Sequence, residues 1–351
     1  MANSRADVLK GFQAARRAHQ DAAVQTKYVT SGGRIDIYRL AADINIPVMF
    51  QDLDGLLGAY LADPTPGILI TKKRPPAVQR FTCAHELGHH YLNHEESLDG
   101  EADIGFALSG ENGSNEHERQ ADAFAFSFLM PRWLLLQNLE RLAASGLRFD
   151  SASSIDQANV AYQLSLRVGC SYVATITTLQ NLSLISAHVA DTLRRIEPKK
   201  IKEHLLSQVM VPDWRRDVWL LTEADDGEEL DAAPEDIFVV RVHEPSTAGY
   251  RTKLDELERN GFTVLQETYL APAGFGARNE EVVIGSFPIH ETVVRHDAPG
   301  RTELNVCHGR PWDPTDATTT SLRIDMHLKP PQQGLSLEER HKVMALVTTD
   351  D

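Results

Sequence analysis

The sequence predicts an α+β chain, with a helix-rich front half and an all-β back half. Three observations predict it. Up to about residue 210, apolar residues recur mainly at helical spacing, with a few short β-rich runs between them. After about residue 212 the pattern changes to short alternating runs separated by turn residues, which predicts a two-sheet sandwich. Within the front half, His85-Glu86-Leu87-Gly88-His89 reads H-E-x-x-H inside a helical pattern. A length of 351 residues suits two domains. The expected divisions are residues 1–150, a helical segment over 151–210, the sandwich over 211–330 and a tail over 331–351.

In order, residues 5–27 predict a helix rich in Ala and charge. Residues 31–80 predict one helix, about 35–44, and short strands ending at Ile68-Leu69-Ile70. The helix carrying His85 follows. A polar loop from about 96 to 114 contains Gly100, Gly105, Gly110 and Gly113 and could gate a cleft. A second helix runs from about Glu118 to Met130 and stops at Pro131. The strand at 67–70 is a candidate edge for an extended substrate. In the back half the runs are Asp217-Val218-Trp219-Leu220-Leu221, Ile237-Phe238-Val239-Val240-Arg241-Val242, Glu281-Val282-Val283-Ile284, Glu303-Leu304-Asn305-Val306 and Leu322-Arg323-Ile324-Asp325-Met326. Residues 223–236 carry eight acids and no base, and read as a solvated hairpin or loop. A short helix is expected at about 336–347.

The H-E-x-x-H pattern carries the chemistry. On a helix, His85 and His89 are four residues apart and share a face. Two imidazoles on one face can hold one zinc ion at about 2.0–2.1 Å each, with Glu86 beside them as general base. A zinc peptidase also needs a third protein ligand and an open fourth position. The second helix is apolar enough to be buried, and it carries Glu118 and Asp122 one turn apart. Buried acids need partners. Glu118 is therefore the expected third ligand, with Glu116 in reserve. Asp122 is expected to accept a hydrogen bond from the second nitrogen of a zinc-bound histidine and fix its tautomer. The competing reading has both acids facing water at a helix start, where they favour the dipole.

The extended pattern H-E-x-x-H-x-x-G-x-x-H would need glycine at 92 and histidine at 95, where the chain has Leu92 and Glu95. His90 points off the metal face. His94 lies about 140° around the helix from His89, near where the helix should end. Both read as surface histidines, with a substrate contact as the alternative. Tyr60, His90, Tyr91 and Arg119 are candidate oxyanion donors.

These residues resemble the ImmA/IrrE-type zinc metallopeptidases. The resemblance rests on Arg80-Phe81-Thr82-x-Ala84-His85-Glu86-Leu87-Gly88-His89, on Glu118-x-x-Ala121-Asp122-x-Phe124-Ala125 and on Leu129-Met130-Pro131. Upstream, Ile35-Asp36-Ile37-Tyr38-Arg39-Leu40-Ala41, Ile44-Asn45-Ile46-Pro47-Val48 and Gly67-Ile68-Leu69-Ile70 fit as well, and the likeness extends to about residue 190. It implies a zincin-like metallopeptidase holding one Zn2+ per chain. It also implies a regulatory endopeptidase that cuts a transcriptional repressor or related control protein, often under stress or prophage control. The competing class is a signal-sensing, protein-binding module on a gated peptidase scaffold.

Composition agrees with a soluble cytoplasmic enzyme. Hydrophobic content is 42%, and no apolar run approaches the ~20 residues of a membrane span. The N-terminus lacks the apolar core of a signal peptide. Cys83, Cys170 and Cys307 are too few and too scattered for a disulfide framework or a cysteine zinc site, and Cys83 reads as a packed core residue. The net charge of −15 repels phosphate backbones unless a basic face is present. Residues 162–179 have the rhythm of a helix-turn-helix, yet 171–190 contain no Lys or Arg. A DNA reader needs such side chains on its second helix, so no sequence-specific DNA binding is expected. Arg194, Arg195, Lys199, Lys200 and Lys202 read as a solvated helix face.

The back half resembles the chagasin-type inhibitors of papain-like cysteine peptidases, which are immunoglobulin-like sandwiches. The family's three loops would fall at Pro245-Ser246-Thr247-Ala248-Gly249-Tyr250, Gly274-Phe275-Gly276-Ala277 and Arg310-Pro311-Trp312. The third matches. The first has an extra residue and begins beside Glu244 where the family has Asn, and the second has Ala277 in place of Gly. The preferred expectation is a recognition sandwich, with Tyr250, Phe275, Arg310 and Trp312 as partner-binding residues; peptidase inhibition is the alternative.

Overall fold

The computed structural model describes residues 2–94, 97–100, 115–206, 209, 213–245, 249–270, 288–312 and 319–349. In chain order the front elements are α1 (Ala2–Asp21), α2 (Val24–Lys27), α3 (Ile37–Asp43), β1 (Val48–Gln51), β2 (Leu56–Leu61), β3 (Gly67–Thr71), α4 (Pro76–Leu92), β4 (Ser97–Gly100), α5 (Glu116–Leu129), α6 (Arg132–Ala144), α7 (Ser154–Val168), α8 (Tyr172–Asn181), α9 (Ala187–Arg194) and α10 (Pro198–Leu206). The back elements are β5 (Val218–Thr222), β6 (Glu229–Ala232), β7 (Ile237–His243), β8 (Arg251–Lys253), α11 (Asp255–Arg259), β9 (Thr263–Leu270), β10 (Ile289–Arg295), β11 (Gly300–Gly309), β12 (Thr319–Leu328), β13 (Gly334–Leu335) and α12 (Leu337–Thr349). The fold is α+β, as the sequence predicts.

The chain divides into two compact units. One is Met1–Asn138, Leu164–Arg194 and Pro331–Asp351; the other is Leu139–Gln163 and Arg195–Pro330. Two of the four divisions fall inside α6 and α7.

In the first unit a five-stranded sheet has the order β13-β1-β3-β2-β4. Strands β1 and β3 are parallel, and β2 is antiparallel to both β3 and β4. Phe50, Ala59, Ile68 and Ile70 are buried in it. Strand β3 is interior, with both edges hydrogen-bonded, so it offers no edge to a substrate; the edge strands are β4 and β13. Strand β4 falls in the segment the sequence reads as a polar loop, the rest of which lies outside the described residues. Residues 331–349 are folded into this unit. Strand β13 pairs with β1, and Lys342 Nζ on α12 donates to Ala42 O at 2.8 Å and Asn45 Oδ1 at 2.7 Å.

Helices pack closely where glycine permits it. A Cβ at Gly11 of α1 would collide with the Gln120 carbonyl and lie 2.8 Å from Ala123 Cβ on α5. The predicted helix over 5–27 is in fact two, because Ala23 takes a left-handed conformation (φ 52°) between α1 and α2. Helices α7 and α8 are joined by a three-residue turn at 169–171, with Gly169 at φ 67°. Arginines add hydrogen bonds to carbonyls at the end of α7 and in this turn. Arg34 donates to Leu166 O at 2.7 Å, and Arg80 donates to Gly169 O at 3.2 Å and Ile35 O at 2.6 Å. The motif residue Arg80 is thus a buried structural cap.

The second unit is a sandwich of two four-stranded sheets, β5-β7-β10-β9 and β6-β12-β11-β8. Trp219, Phe238, Val293, Leu304, Leu322, Ile324 and Met326 are buried in its core. The open edge of β5 is covered by a side chain: Gln163 Nε2 donates to Val218 O at 2.9 Å, and its Oε1 accepts from Leu220 N at 2.9 Å. An edge strand blocked in this way cannot pair with another chain. The acidic stretch is not all loop. It contains β6, which pairs in parallel with β12 and buries Leu230 and Ala232 between outward acids. Nor is Lys202 solvated: it is buried, and its Nζ donates to Trp214 O at 3.1 Å and Arg216 O at 2.7 Å. No helix of the described residues is long and apolar enough to cross a membrane.

Candidate metal centre

Helix α4 starts with Pro76 in its first turn, where a missing N–H costs nothing, and ends at Asn93 in a left-handed conformation (φ 55°). It buries the whole run from Gln79 to His89. Helix α5 lies against it. Gly88 makes that approach possible: a Cβ there would sit 3.1 Å from Ala121 Cα and 3.2 Å from Ala121 O. At this separation the imidazoles of one helix meet the carboxylates of the other.

His85 Nε2 lies 3.1 Å from Glu118 Oε2 and 3.1 Å from His89 Nε2, and His89 Nε2 is 3.7 Å from Glu118 Oε1. Two ligands held tetrahedrally at 2.0–2.1 Å from one ion would be about 3.3–3.4 Å apart. The three groups therefore already stand at the spacing of a metal-ligand set, and nitrogen plus carboxylate donors suit zinc. Their ligand atoms all fall within 4.8 Å of one another. Both histidines are buried, while Glu118 keeps 14% of its side chain exposed, which leaves one side of the group open.

His85 Nδ1 donates to Asp122 Oδ1 at 2.8 Å, and Asp122 is buried. That bond leaves the lone pair of His85 on Nε2, facing Glu118 and His89. Glu116, the reserve carboxylate, lies elsewhere: it is 52% exposed and paired with Lys10 at 2.9 Å. Glu86 is fully buried. On β2 a Cβ at Gly58 would come 2.5 Å from Glu86 Oε1, so the bare backbone at 58 makes room for that carboxylate. Cys83 is wholly buried, and burial pushes its thiol well above the ordinary range.

Residues 41–154 match the family model of the IrrE N-terminal-like domain, Peptidase_M78. This segment is similar to IrrE N-terminal-like domains. The chain is 33% identical over 121 residues to the radiation response metalloprotease IrrE of Deinococcus radiodurans, an alignment covering 34% of this chain and 36% of that protein. The chain thus spans about a third of the length of that relative. Among solved structures, the chain is similar to the cysteine protease inhibitor EhICP2 of Entamoeba histolytica, at 18% identity and a TM-score of 0.26, covering 33% of this chain and 100% of that one. The solution structure of Amebosin is similar at 18% identity and a TM-score of 0.23, covering 32% of this chain and 98% of that one.

Several of the other candidate residues have partners within the fold. His90 pairs with Tyr60, whose Oη is 3.0 Å from His90 Nδ1. Tyr91 stacks on Phe124. Arg119 is engaged by Asp7 of α1 through contacts of 3.1 and 2.7 Å. His94 is not a solvated surface histidine. Its Nδ1 is 3.1 Å from His89 Nδ1 and its Nε2 is 3.2 Å from Gln120 Oε1. Burial, with His117 beside it, pushes its imidazole down to about 4. The only sequence signal for this placement is Asn93, a residue that tolerates the left-handed turn after a helix. On α8, Thr175 is fully buried and Gln180 accepts from Arg194 at 2.6 Å, so Thr175 presents no surface to a base edge.

On the sandwich, the structure brings three of the four expected partner-binding residues together. Arg310 lies 5.0 Å above the Tyr250 ring. Trp312 is 69% exposed and covers Gly249, whose φ of 83° and lack of Cβ both suit the contact. Phe275 lies outside the described residues.

Proposed function

We propose that the chain is a zinc-dependent endopeptidase with a regulatory role, cutting a protein substrate of the transcriptional-repressor class in the cytoplasm. The observation that carries the reading is the convergence of His85 Nε2, His89 Nε2 and the Glu118 carboxylate within 4.8 Å, on two helices that also bury Glu86. His85, His89 and Glu118 would hold one metal ion per chain. When bound, the ion supplies Lewis acidity toward a peptide carbonyl and lowers the pKa of water. Glu86 accepts the proton of the attacking water and passes it to the leaving amine. Asp122 holds His85 in the tautomer that presents Nε2. The 14% exposure of Glu118 marks the side from which a substrate segment enters.

The likeness to a radiation response metalloprotease supports a stress-linked role. The exposed Trp312 and the Arg310–Tyr250 stack favour a second role for the sandwich, as a partner- or substrate-binding face. DNA recognition is not part of this reading, since 171–190 lack any Lys or Arg. The test is metal analysis alongside peptide cleavage. His85→Ala and His89→Ala should lose the ion, while Glu86→Gln should keep it and abolish cleavage. Full metal occupancy in the double histidine variant would defeat the assignment.

A further inference from the structure

His94 stands where its position on a helical wheel would not put it. Helix α4 ends in a reversal at Asn93, and His94 N then donates back to His89 O at 3.0 Å. This six-to-one bond around a left-handed residue is the Schellman arrangement. It folds the chain over the last turn and lays the His94 ring edge-on to His89, with centroids 5.0 Å apart. His117 of α5 stacks on the other side of His94 at 4.1 Å.

The contacts continue in a line to the surface. His94 Nε2 meets Gln120 Oε1 at 3.2 Å, Gln120 Nε2 donates to Glu116 Oε1 at 2.8 Å, and Lys10 Nζ donates to the same oxygen at 2.9 Å. The chemistry of these groups permits one assignment of protons. A carboxylate only accepts, so Gln120 must turn its NH2 to Glu116 and its oxygen to His94. That oxygen requires a proton on His94 Nε2. A neutral His94 then has its lone pair on Nδ1, where it accepts from His89 Nδ1–H. His89 in turn has its lone pair on Nε2, the atom that lies 3.1 Å from His85 Nε2.

We infer that His94 is a positioning residue for the metal centre: the Lys10–Glu116–Gln120–His94 line fixes the tautomer and orientation of His89, as Asp122 does for His85. This inference rests on the metal-centre reading above. The two ligand histidines are thus backed differently, one by a buried carboxylate and one by a neutral imidazole. Asp122 makes His85 the more strongly electron-donating ligand, and His94 supplies direction without adding charge.

The experiment measures zinc affinity by chelator competition in the full chain. His94→Phe keeps a ring to stack on His117 and removes both hydrogen bonds. It should weaken zinc binding about 10–100-fold, the usual effect of losing a partner behind a ligand histidine. The melting temperature of the metal-free protein should fall no further than the loss of these two hydrogen bonds accounts for. His94→Gln, which restores an acceptor and a donor, should recover most of the loss. With Co2+ in place of zinc, the wild type should show a slowly exchanging, paramagnetically shifted proton on His89 Nδ1, which His94→Phe abolishes. Should that variant fail to fold, the wild-type cobalt spectrum and Gln120→Leu still decide the matter. Zinc bound as tightly by His94→Phe as by wild type, or a His89 Nδ1 proton exchanging as fast as that of an exposed imidazole, would overturn the inference. Both failures are distinct from failure of the metal centre itself, in which His89→Ala and Glu118→Gln would also leave zinc binding unchanged.

Discussion

Gly88 of α4 and Ala121 of α5 touch backbone to backbone: a Cβ at 88 would lie 3.1 Å from Ala121 Cα and 3.2 Å from its carbonyl oxygen. This one contact sets the separation at which His85 and His89 reach Glu118 and Asp122. The neighbouring atoms are Ala121 main chain and Phe124 Cβ, none of which can rotate away. Gly88→Leu should therefore overpack the interface, costing about 1–3 kcal/mol. It should also lower zinc affinity by more than the stability loss accounts for, because the ligands are spread apart. Gly88→Ala tests the same point more gently, since alanine gains about 1 kcal/mol of helix propensity. Melting curves and zinc titrations on both variants check this. Unchanged zinc affinity in Gly88→Leu would show that the helices tolerate separation.

The two carboxylates at the start of α5 should separate cleanly. Glu118→Gln should lose most bound metal. Glu116→Gln should retain it, because the glutamine oxygen still accepts from Gln120, and should change the melting temperature little, because the pair with Lys10 is exposed and screened. Asp122→Asn should weaken metal binding about 10–100-fold. Metal content after gel filtration reads all three. Zinc lost from Glu116→Gln and kept in Glu118→Gln would reverse the assignment.

Much of this site could be read from the sequence because helices repeat. The four-residue spacing of His85 and His89, and of Glu118 and Asp122, places each pair on one face wherever the helices pack. What escaped depended on geometry that has no period. His94 reaches His89 only through the left-handed Asn93, so a wheel extended past the helix end puts it on the wrong side. Strand β3 looked available as an edge because local pattern does not show that β1 and β2 flank it on either side. Strand β6 was hidden by its charge. Yet Glu229-Leu230-Asp231-Ala232 alternates with period two, and that alternation, not the acid count, decides its structure.

A pH-dependent stability should arise in the sandwich. Burial, reinforced by the nearby Asp217, raises the Asp236 carboxyl from 3.8 to about 7. It accepts from Asp217 N at 3.0 Å, Trp219 Nε1 at 3.2 Å and Ala233 N at 2.9 Å, and burial outweighs these bonds. Between pH 3.8 and about 7 the folded state therefore binds more protons than the unfolded state. Its contribution is fully present below 3.8 and is lost as pH rises through about 7. Denaturation followed by tryptophan fluorescence from pH 5 to 8 should show stability falling relative to Asp236→Asn. The variant should start lower, because its amide has one oxygen for donors that the carboxyl meets with two, and should lack this slope. Parallel curves would show that Asp236 does not titrate in that window.

The sandwich face supplies the last prediction. Truncation near residue 210 would be a poor test of it. Such a cut removes β13 from the first unit's sheet and α12 with its Lys342 bonds to Ala42 and Asn45. Point variants avoid this. Trp312 is 69% exposed, so Trp312→Ala should leave folding and metal content unchanged. If the face recognises substrate, the variant should lose rate on the native protein substrate while cutting a short peptide normally, because remote contacts supply binding and not chemistry. Arg310→Ala should act in the same direction by removing the stack on Tyr250. Gly249→Val should act through Trp312: a side chain there strains the φ of 83° and strikes the indole, so the ring must move. Steady-state kinetics on both substrates read the split. Equal rates for wild type and Trp312→Ala on the protein substrate would remove the sandwich from substrate recognition. Tight, Trp312-dependent inhibition of a papain-like peptidase by the full chain would instead assign this face an inhibitory activity of its own.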